Sequence, residues 1–332
     1  MIISRTPLRV SFCGGGTDLP AFYNHAGCGA VVSTAINRYI YINVNRKFDH
    51  SIRASYSITE IVKSGKELKH ELIRECLNML GIHGGIEITS IADIPSQGTG
   101  LGSSSCFTVG LLNALYAYTH RMAGQERLAR EACEIEIERL GKPIGKQDQY
   151  ASAYGGLTYY RFNSDGTVFV EPILCSPRTK VQLEERLLIL YTGVVRSADG
   201  ILAEQSKNST SDSDIQNVLR KMKSQAEDLR VALNEDNLDS FGELLHDGWQ
   251  LKRQVASGVT NSDIDEWYKT ARSQGAIGGK LLGAGGGGFL LFYAYPEHHE
   301  QIKASLPHLA PSNIRFDPQG TRIVYVEENG YI

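Results

Sequence analysis

The run Pro95-Ser96-Gln97-Gly98-Thr99-Gly100-Leu101-Gly102-Ser103-Ser104-Ser105 leads directly into an apolar-periodic stretch from Cys106 to Tyr118. Its three glycines let the backbone approach a ligand closely. The serines then open a helix whose first N–H groups have no partner and whose dipole end is positive, which suits a phosphate. No lysine follows the last glycine, so the run is not the P-loop G-x-x-x-x-G-K-[ST]. Taken alone, it also fits a Ser-rich cap on a core helix.

A second candidate is Gly141-Lys142-Pro143-Ile144-Gly145-Lys146-Gln147-Asp148-Gln149-Tyr150, a Gly-flanked loop that can aim one acid into a cleft. Asp148 is a candidate general base, because an aspartate is ionised at neutral pH and can accept a hydroxyl proton during phosphoryl transfer. Capping the helix that starts near Gln149 is the competing use, and the residue alone weighs the two evenly. Glu136 upstream and the Ser104 hydroxyl carry the hard oxygens that Mg²⁺ on a nucleotide prefers. Glu134 and Glu138 flank Glu136, and the residues by themselves leave the three open.

The segment Gly278 to Phe289 contains a formal G-x-G-x-x-G from Gly283 to Gly288. The next residues, Phe289 to Tyr293, read as a strand, whereas a dinucleotide fingerprint must open a helix, so that fold is excluded. The glycines can still lie against a cleft and admit a backbone or a phosphate.

The elements that must position these groups follow from periodicity. Strands are expected over 2–12, within 31–44, over 85–91, within 155–170, and over 187–191, 289–293 and 322–326. Helices are expected over 66–80, 106–118, 125–140, 211–233, 238–255, 264–274 and 297–306. The polar stretch 176–185, which contains Pro177, suggests a boundary, giving domains of 1–180 and 181–332. Runs of strands and helices in mixed order indicate an α+β class.

The 332 residues suffice for two domains. A net charge of −3 without a Lys/Arg cluster argues against nucleic acid and against a basic membrane-surface protein. No window approaches about 18 uninterrupted apolar residues, and the first residues show no signal-peptide core. The six cysteines lack C-x-x-C spacing. A cytoplasmic protein with reduced thiols and small-molecule partners is expected, and a homo-oligomer stays open.

In order, Thr6-Pro7-Leu8-Arg9 through Gly16-Thr17-Asp18, Pro95 through Ser105 and Gly279 through Gly288 resemble the three motifs of the GHMP small-molecule kinases. That superfamily holds the galactokinase, homoserine, mevalonate and phosphomevalonate kinases, and the likeness spans nearly the whole chain. Gly141 through Gly156 resembles the segment carrying the catalytic aspartate of the galactokinase branch. A metal-binding glutamate there precedes the aspartate by twelve residues, the distance from Glu136 to Asp148 (148 − 136 = 12), which selects Glu136. Arg9 stands where mevalonate kinases carry Lys, implying a sugar substrate. Galactokinases read G-E-H-T-D where this chain reads Gly14-Gly15-Gly16-Thr17-Asp18, so the Glu and His that contact galactose are missing. This form, with Gly145 through Ala151 and Tyr191 through Ala198, is similar to the bacterial heptose 7-phosphate kinase branch. Those enzymes phosphorylate the anomeric oxygen to a 1,7-bisphosphate on the route to GDP-heptose for surface polysaccharide.

The resemblance implies a two-domain GHMP kinase fold: an N-terminal domain like ribosomal protein S5 domain 2 and a ferredoxin-like C-terminal domain. It implies ATP on Gly98, Gly100, Leu101, Gly102, Ser103, Ser104 and Ser105, and Mg²⁺ on Ser104 and Glu136. Asp148 and Arg9 are then catalytic. The sugar falls to Gly15, Gly16, Thr17, Asp18, Gly285 and Gly286. Its phosphate needs a cation, for which the residues themselves offer Arg196 first and Lys146 and Lys280 behind it, each of which fits a solvated surface position as well. Two other readings remain: a kinase for another sugar such as L-fucose, and a non-catalytic sugar- and ATP-binding regulator. An isoprenoid-diphosphate decarboxylase finds no support in Arg9 or the Gly-rich first motif.

Overall fold

The computed structural model describes residues 1–95, 98–195 and 198–327. Among the described residues, twelve strands form two sheets: β1 (Ile2–Cys13), β2 (Cys28–Arg46), β3 (Ile52–Ser55), β4 (Thr59–Val62), β5 (Ile86–Ala92), β6 (Leu157–Asn163), β7 (Val168–Pro172), β8 (Leu187–Tyr191), β9 (Gly278–Leu281), β10 (Phe289–Tyr293), β11 (Ala310–Pro311) and β12 (Arg322–Val326). The α-helices are α1 (Pro20–Ala26), α2 (Glu71–Leu80), α3 (Ser103–Tyr118), α4 (Gln125–Cys133), α5 (Gln147–Tyr154), α6 (Pro177–Arg186), α7 (Asp199–Ser211), α8 (Ser213–Asn234), α9 (Phe241–Lys252), α10 (Ser262–Ser273) and α11 (His299–Ser305).

The larger sheet runs β12-β1-β2-β5-β3-β4, with β6 also on β2 and β7 beyond it. Strand β2 is longer than the sequence suggests: its first part pairs with β6 and its second with β5. One strand thus serves two wings of the sheet while β1 lies along its length, placing Arg9 opposite Ala35. Helix α3 packs on this sheet and is buried on nearly every side from Ser105 to Tyr116, as expected for an apolar helix inside a core.

The smaller sheet has the order β11-β8-β10-β9, antiparallel throughout. Helices α7 to α10 connect β8 to β9, and α11 connects β10 to β11. This is a βαββαβ unit with spatial order 4-1-3-2, the ferredoxin-like arrangement. Trp249, Tyr268 and Phe292 fill its core together with Phe22 from α1.

Several local expectations need correction. Helix α2 starts at Glu71, not 66, because His70 caps it with its ring nitrogen. The stretch 176–185 is a helix: Ser176 caps it and Pro177 takes its first turn, where the missing N–H costs nothing. A division after residue 180 therefore falls inside α6, and β12 brings the end of the chain back to the first sheet. The helix expected over 211–233 is α8, which starts at Ser213 because Asp212 turns extended and caps it through Asp214 N and Ile215 N; α7 ends just before it at Ser211. Helix 125–140 changes from α to π at Glu134–Arg139. All six cysteines are free thiols, and no helix among the described residues is long and apolar enough to cross a membrane.

Leu115 sits fully buried in the last turn of α3. Leu115→Ala should lower unfolding stability by about 2–5 kcal/mol, measured by denaturant titration; a loss under about 1 kcal/mol would show that α3 is not the central support.

Candidate active site

A cleft of about 440 Å³ opens between the two sheets, with its wall drawn from both halves of the chain. Its floor on one side is the glycine loop ahead of α3. Gly102 is the N-cap, in the left-handed region at φ 78°, and no side chain caps the helix. The serines do other work: Ser103 Oγ lies 3.3 Å from Thr99 Oγ1, and Ser104 Oγ donates to Glu136 Oε1 at 2.8 Å. The leading N–H groups of a 16-residue helix therefore face the cleft without a side-chain acceptor.

Arg9 and Asp148 form the centre. Arg9 Nε donates to Asp148 Oδ1 at 2.7 Å and Nη2 to Oδ2 at 2.8 Å, a two-pronged pair that fixes the carboxylate plane. Arg9 Nη1 donates to the Gly100 carbonyl at 2.7 Å, tying the pair to the glycine loop. Asp148 lies in the first turn of α5 but does not cap it. A Cβ on Gly102 would stand 3.2 Å from Asp148 Oδ2 and 3.4 Å from Arg9 Cγ, so only glycine leaves this space clear.

Glu136 is fully buried. The π turn carries it inward beside Ile135, while Glu134 pairs with Arg139 near the surface. Besides the Ser104 hydroxyl it accepts from Gln149 Nε2 at 2.7 Å. Burial raises its pKa above the usual carboxylate range, opposed by those hydrogen bonds. A carboxylate beside a hydroxyl is a donor set that fits Mg²⁺; Ser104 lines the cleft, and Glu136 lies behind it, outside the cleft lining.

Asp18 is buried and accepts from Gly16 N (2.9 Å), Gln147 Nε2 (3.0 Å) and Gln147 N (3.1 Å). Burial is again the main reason that its pKa rises. Gly15 and Gly16 line the cleft with it, as do Gly98, Gly100 and Ser103 to Ser105.

Other expected residues lie elsewhere. Thr17 is sealed inside, its Oγ1 accepting from Ala30 N at 2.9 Å and lying 2.8 Å from the Gly14 and Ala30 carbonyls, so it shapes the turn and does not face the cleft. Leu101 packs into the core, and its carbonyl accepts from Arg9 N. Lys146 turns outward, donating to the Gly166 carbonyl at 3.2 Å and resting over the Tyr23 ring. Gly285 and Gly286 pack on Val259; the loop meets the cleft through Gly283 and Ala284. Arg196 lies outside the described residues.

Two lysines line the cleft deep inside. Lys280 donates to the Phe12 carbonyl at 2.9 Å, and Lys252 to the Gly283 carbonyl. Lys252 carries no motif around it that marks it in the sequence, and the same holds for the cleft-lining Ser11 and Gln205 and for the side chain of Gln147. Ser11 Oγ, Gln147 Oε1 and Gln205 Nε2 are buried without a partner, the condition of groups that await a polar ligand.

Residues 66–156 match the family model of the GHMP kinases N terminal domain, and residues 229–311 that of the GHMP kinases C terminal domain. The chain belongs to the GHMP kinases. It is therefore an ATP-dependent phosphotransferase. This GHMP kinase is similar to the D-glycero-alpha-D-manno-heptose 7-phosphate kinase of Campylobacter jejuni, 29% identical over 318 residues, covering 91% of this chain and 92% of that one. It is 27% identical to the bifunctional fucokinase/GDP-fucose pyrophosphorylase of Arabidopsis thaliana, with 87% of this chain but 29% of that protein covered. A solved D-glycero-D-manno-heptose 1-phosphate kinase from Bacteriodes thetaiotaomicron superposes with a TM-score of 0.81 at 24% identity, covering 99% and 100% of the two chains. That likeness carries the fold.

Gly102→Ala should strain the left-handed cap by about 1–2 kcal/mol and push on Asp148. Turnover should fall about a hundredfold with only a small loss of Tm, and equal, modest losses in both would count against the tight fit at Gly102.

Proposed function

We propose that this GHMP kinase transfers the γ-phosphoryl group of ATP to the anomeric hydroxyl of D-glycero-D-manno-heptose 7-phosphate, giving the 1,7-bisphosphate on the route to GDP-heptose for surface polysaccharide. The observation that carries the proposal is the meeting, in one cleft, of an uncapped helix N-terminus, the Arg9–Asp148 fork and buried cations. The similarity to the Campylobacter enzyme over nine-tenths of both chains supports the heptose assignment.

The open N–H groups of Gly98 to Ser105 receive the ATP phosphates. Ser104 and Glu136 would hold Mg²⁺, which when bound neutralises phosphate charge. The acceptor hydroxyl approaches between Asp18 and Asp148. Asp148, held in plane by Arg9, orients that hydroxyl and takes its proton as the oxygen bonds to the γ-phosphorus and ADP departs. Since phosphoryl transfer proceeds through a loose transition state, alignment and charge neutralisation carry most of the catalysis. Ser11, Gln147 and Gln205 offer polar atoms to the sugar hydroxyls.

A sugar phosphate needs a cation of its own in the cleft, beyond those that meet ATP. Lys280 is the described residue assigned to that phosphate; Lys146 is turned away.

The decisive assay incubates the enzyme with ATP, Mg²⁺ and heptose 7-phosphate and locates the new phosphate by NMR. Phosphate on the anomeric carbon is expected, and Asp148→Asn should lower kcat by about 10²–10⁴ while ATP still binds. ADP release with L-fucose but none with heptose 7-phosphate would refute the substrate, and near-normal kcat in Asp148→Asn would refute the base.

The buried lysine also makes binding depend on pH. The Lys280 pKa is lowered to about 8, chiefly by burial, with the Cys13 thiol opposing and the Arg9 charge adding to the fall; Lys252 faces it as well. Lys280 is charged below that value and loses its charge as pH rises through it. KM for the sugar phosphate should therefore rise about tenfold between pH 7 and 9, and a flat profile would remove Lys280 from the phosphate site.

A further inference from the structure

Lys252 ends α9, where a lysine would ordinarily reach into water beside the helix C-terminus. Here it is only 6% exposed and lines the cleft. Its Nζ donates to one backbone carbonyl, that of Gly283, although an ammonium carries three donors. Among the described residues no carboxylate lies within ion-pair distance of it. The charged groups that face it are Lys280 on β9, Arg9 on β1, Asp18 after β1 and Asp148 on α5. Both carboxylates are already engaged, Asp148 by Arg9 and Asp18 by Gly16 and Gln147. Burial and the neighbouring Lys280 and Arg9 charges hold its pKa well below the usual lysine range. A lysine in that position has no anion beside it to hold its charge, and a phosphate oxygen there would supply one.

The backbone fixes the place of that anion. Gly283 and Gly100 cross in contact: a Cβ on Gly283 would fall 2.3 Å from Gly100 Cα. Arg9 reaches the crossing from the first sheet through the Gly100 carbonyl, and Lys252 reaches it from the other half of the chain through the Gly283 carbonyl. Beside the crossing lie the open phosphate loop and the Asp148 carboxylate. A group there would touch the ATP phosphates on one side and the oriented acceptor hydroxyl on the other.

We propose that Lys252 is a catalytic residue of the phosphoryl transfer, its ammonium binding the oxygens of the γ-phosphoryl group in transit, opposite Arg9. The acceptor oxygen bonds to the γ-phosphorus, the bond from that phosphorus to the β,γ-bridging oxygen breaks, the acceptor proton passes to Asp148, and ADP carries away the bridging oxygen. Lys252 exchanges no proton; it supplies charge where negative charge spreads in the transition state. Because it comes from the second half of the chain, the transition state draws cations from both walls of the cleft. The proposal rests on phosphoryl transfer in this cleft and not on which sugar accepts the group.

Three variants test it: Lys252→Gln, which keeps a donor for Gly283 but loses the charge; Lys252→Met, which loses both; and Lys252→Arg, which keeps the charge. Readouts are kcat and KM with the acceptor, the slow hydrolysis of ATP without acceptor, the affinity for a non-hydrolysable ATP analogue, and Tm. Gln and Met should each lose about 10²–10³ in kcat, with much smaller changes in analogue affinity, and Arg should retain more activity than Gln. ATP hydrolysis without acceptor should fall in parallel, so the result stands even if heptose 7-phosphate is the wrong acceptor. The proposal is overturned if Lys252→Gln turns over within about threefold of the parent protein. It is equally overturned if that variant raises only the KM for the sugar phosphate, which would place Lys252 on the acceptor's own phosphate, or if it fails to fold despite keeping the donor.

Discussion

Arg9 and Asp148 stand 139 residues apart, and the fork between them is the constraint around which the cleft is arranged. Arg9 is buried, so losing its partner would leave its charge without compensation, and each partner must be held with little freedom. Strand β1 supplies Arg9 from the middle of the large sheet, α5 supplies Asp148 from its first turn, and the third prong of Arg9 fastens the Gly100 carbonyl. Any shift of the loop, strand or helix relative to the others would open a gap at the fork. The absence of a side chain at Gly102 is part of the same fit, since a Cβ there would press on both partners.

The surrounding electrostatics describe a site built for more negative charge than the protein provides. Arg9, Lys142, Lys252 and Lys280 line the cleft against Asp18, Asp148 and Asp199, and the N-terminus of α3 adds its own positive end. The hydroxyls that could cap that helix are used otherwise: Ser104 is directed to Glu136, and Ser103 lies beside Thr99. Local stability has been forgone at the helix start, leaving N–H groups without a side-chain acceptor. An ATP-dependent phosphotransferase needs this imbalance, because its substrates arrive as polyanions.

Much of the fold was legible because strand and helix periods are local properties. Strands β1, β8, β10 and β12 were expected close to where they lie, and the strand after the Gly283 loop was enough to exclude a dinucleotide fold. The misreadings also have physical causes. The polarity of residues 176–185 suggests a domain boundary, although Ser176 and Pro177 form a helix start. The π turn at Glu134–Arg139 was invisible, since an i to i+5 pattern leaves no simple mark on hydrophobic spacing.

By itself, the sequence determined the parts whose function lies in backbone conformation: the glycine loop before α3, the Gly-rich turn after β1 and the loop that presents Asp148. Those features depend on residue types within a few positions of one another, so their spacing carries them. Tertiary structure alone decided the direction of the long side chains. It sends Lys146 out to Gly166 and draws Lys252 in to Gly283, though nothing near either residue in the chain distinguishes them. It buries Glu136 through a π turn while Glu134 stays near the surface, and it seals Thr17 in a turn. A lysine's ammonium lies several bonds from its backbone, so its place is set by what packs around it, and that packing exists only once distant segments have met.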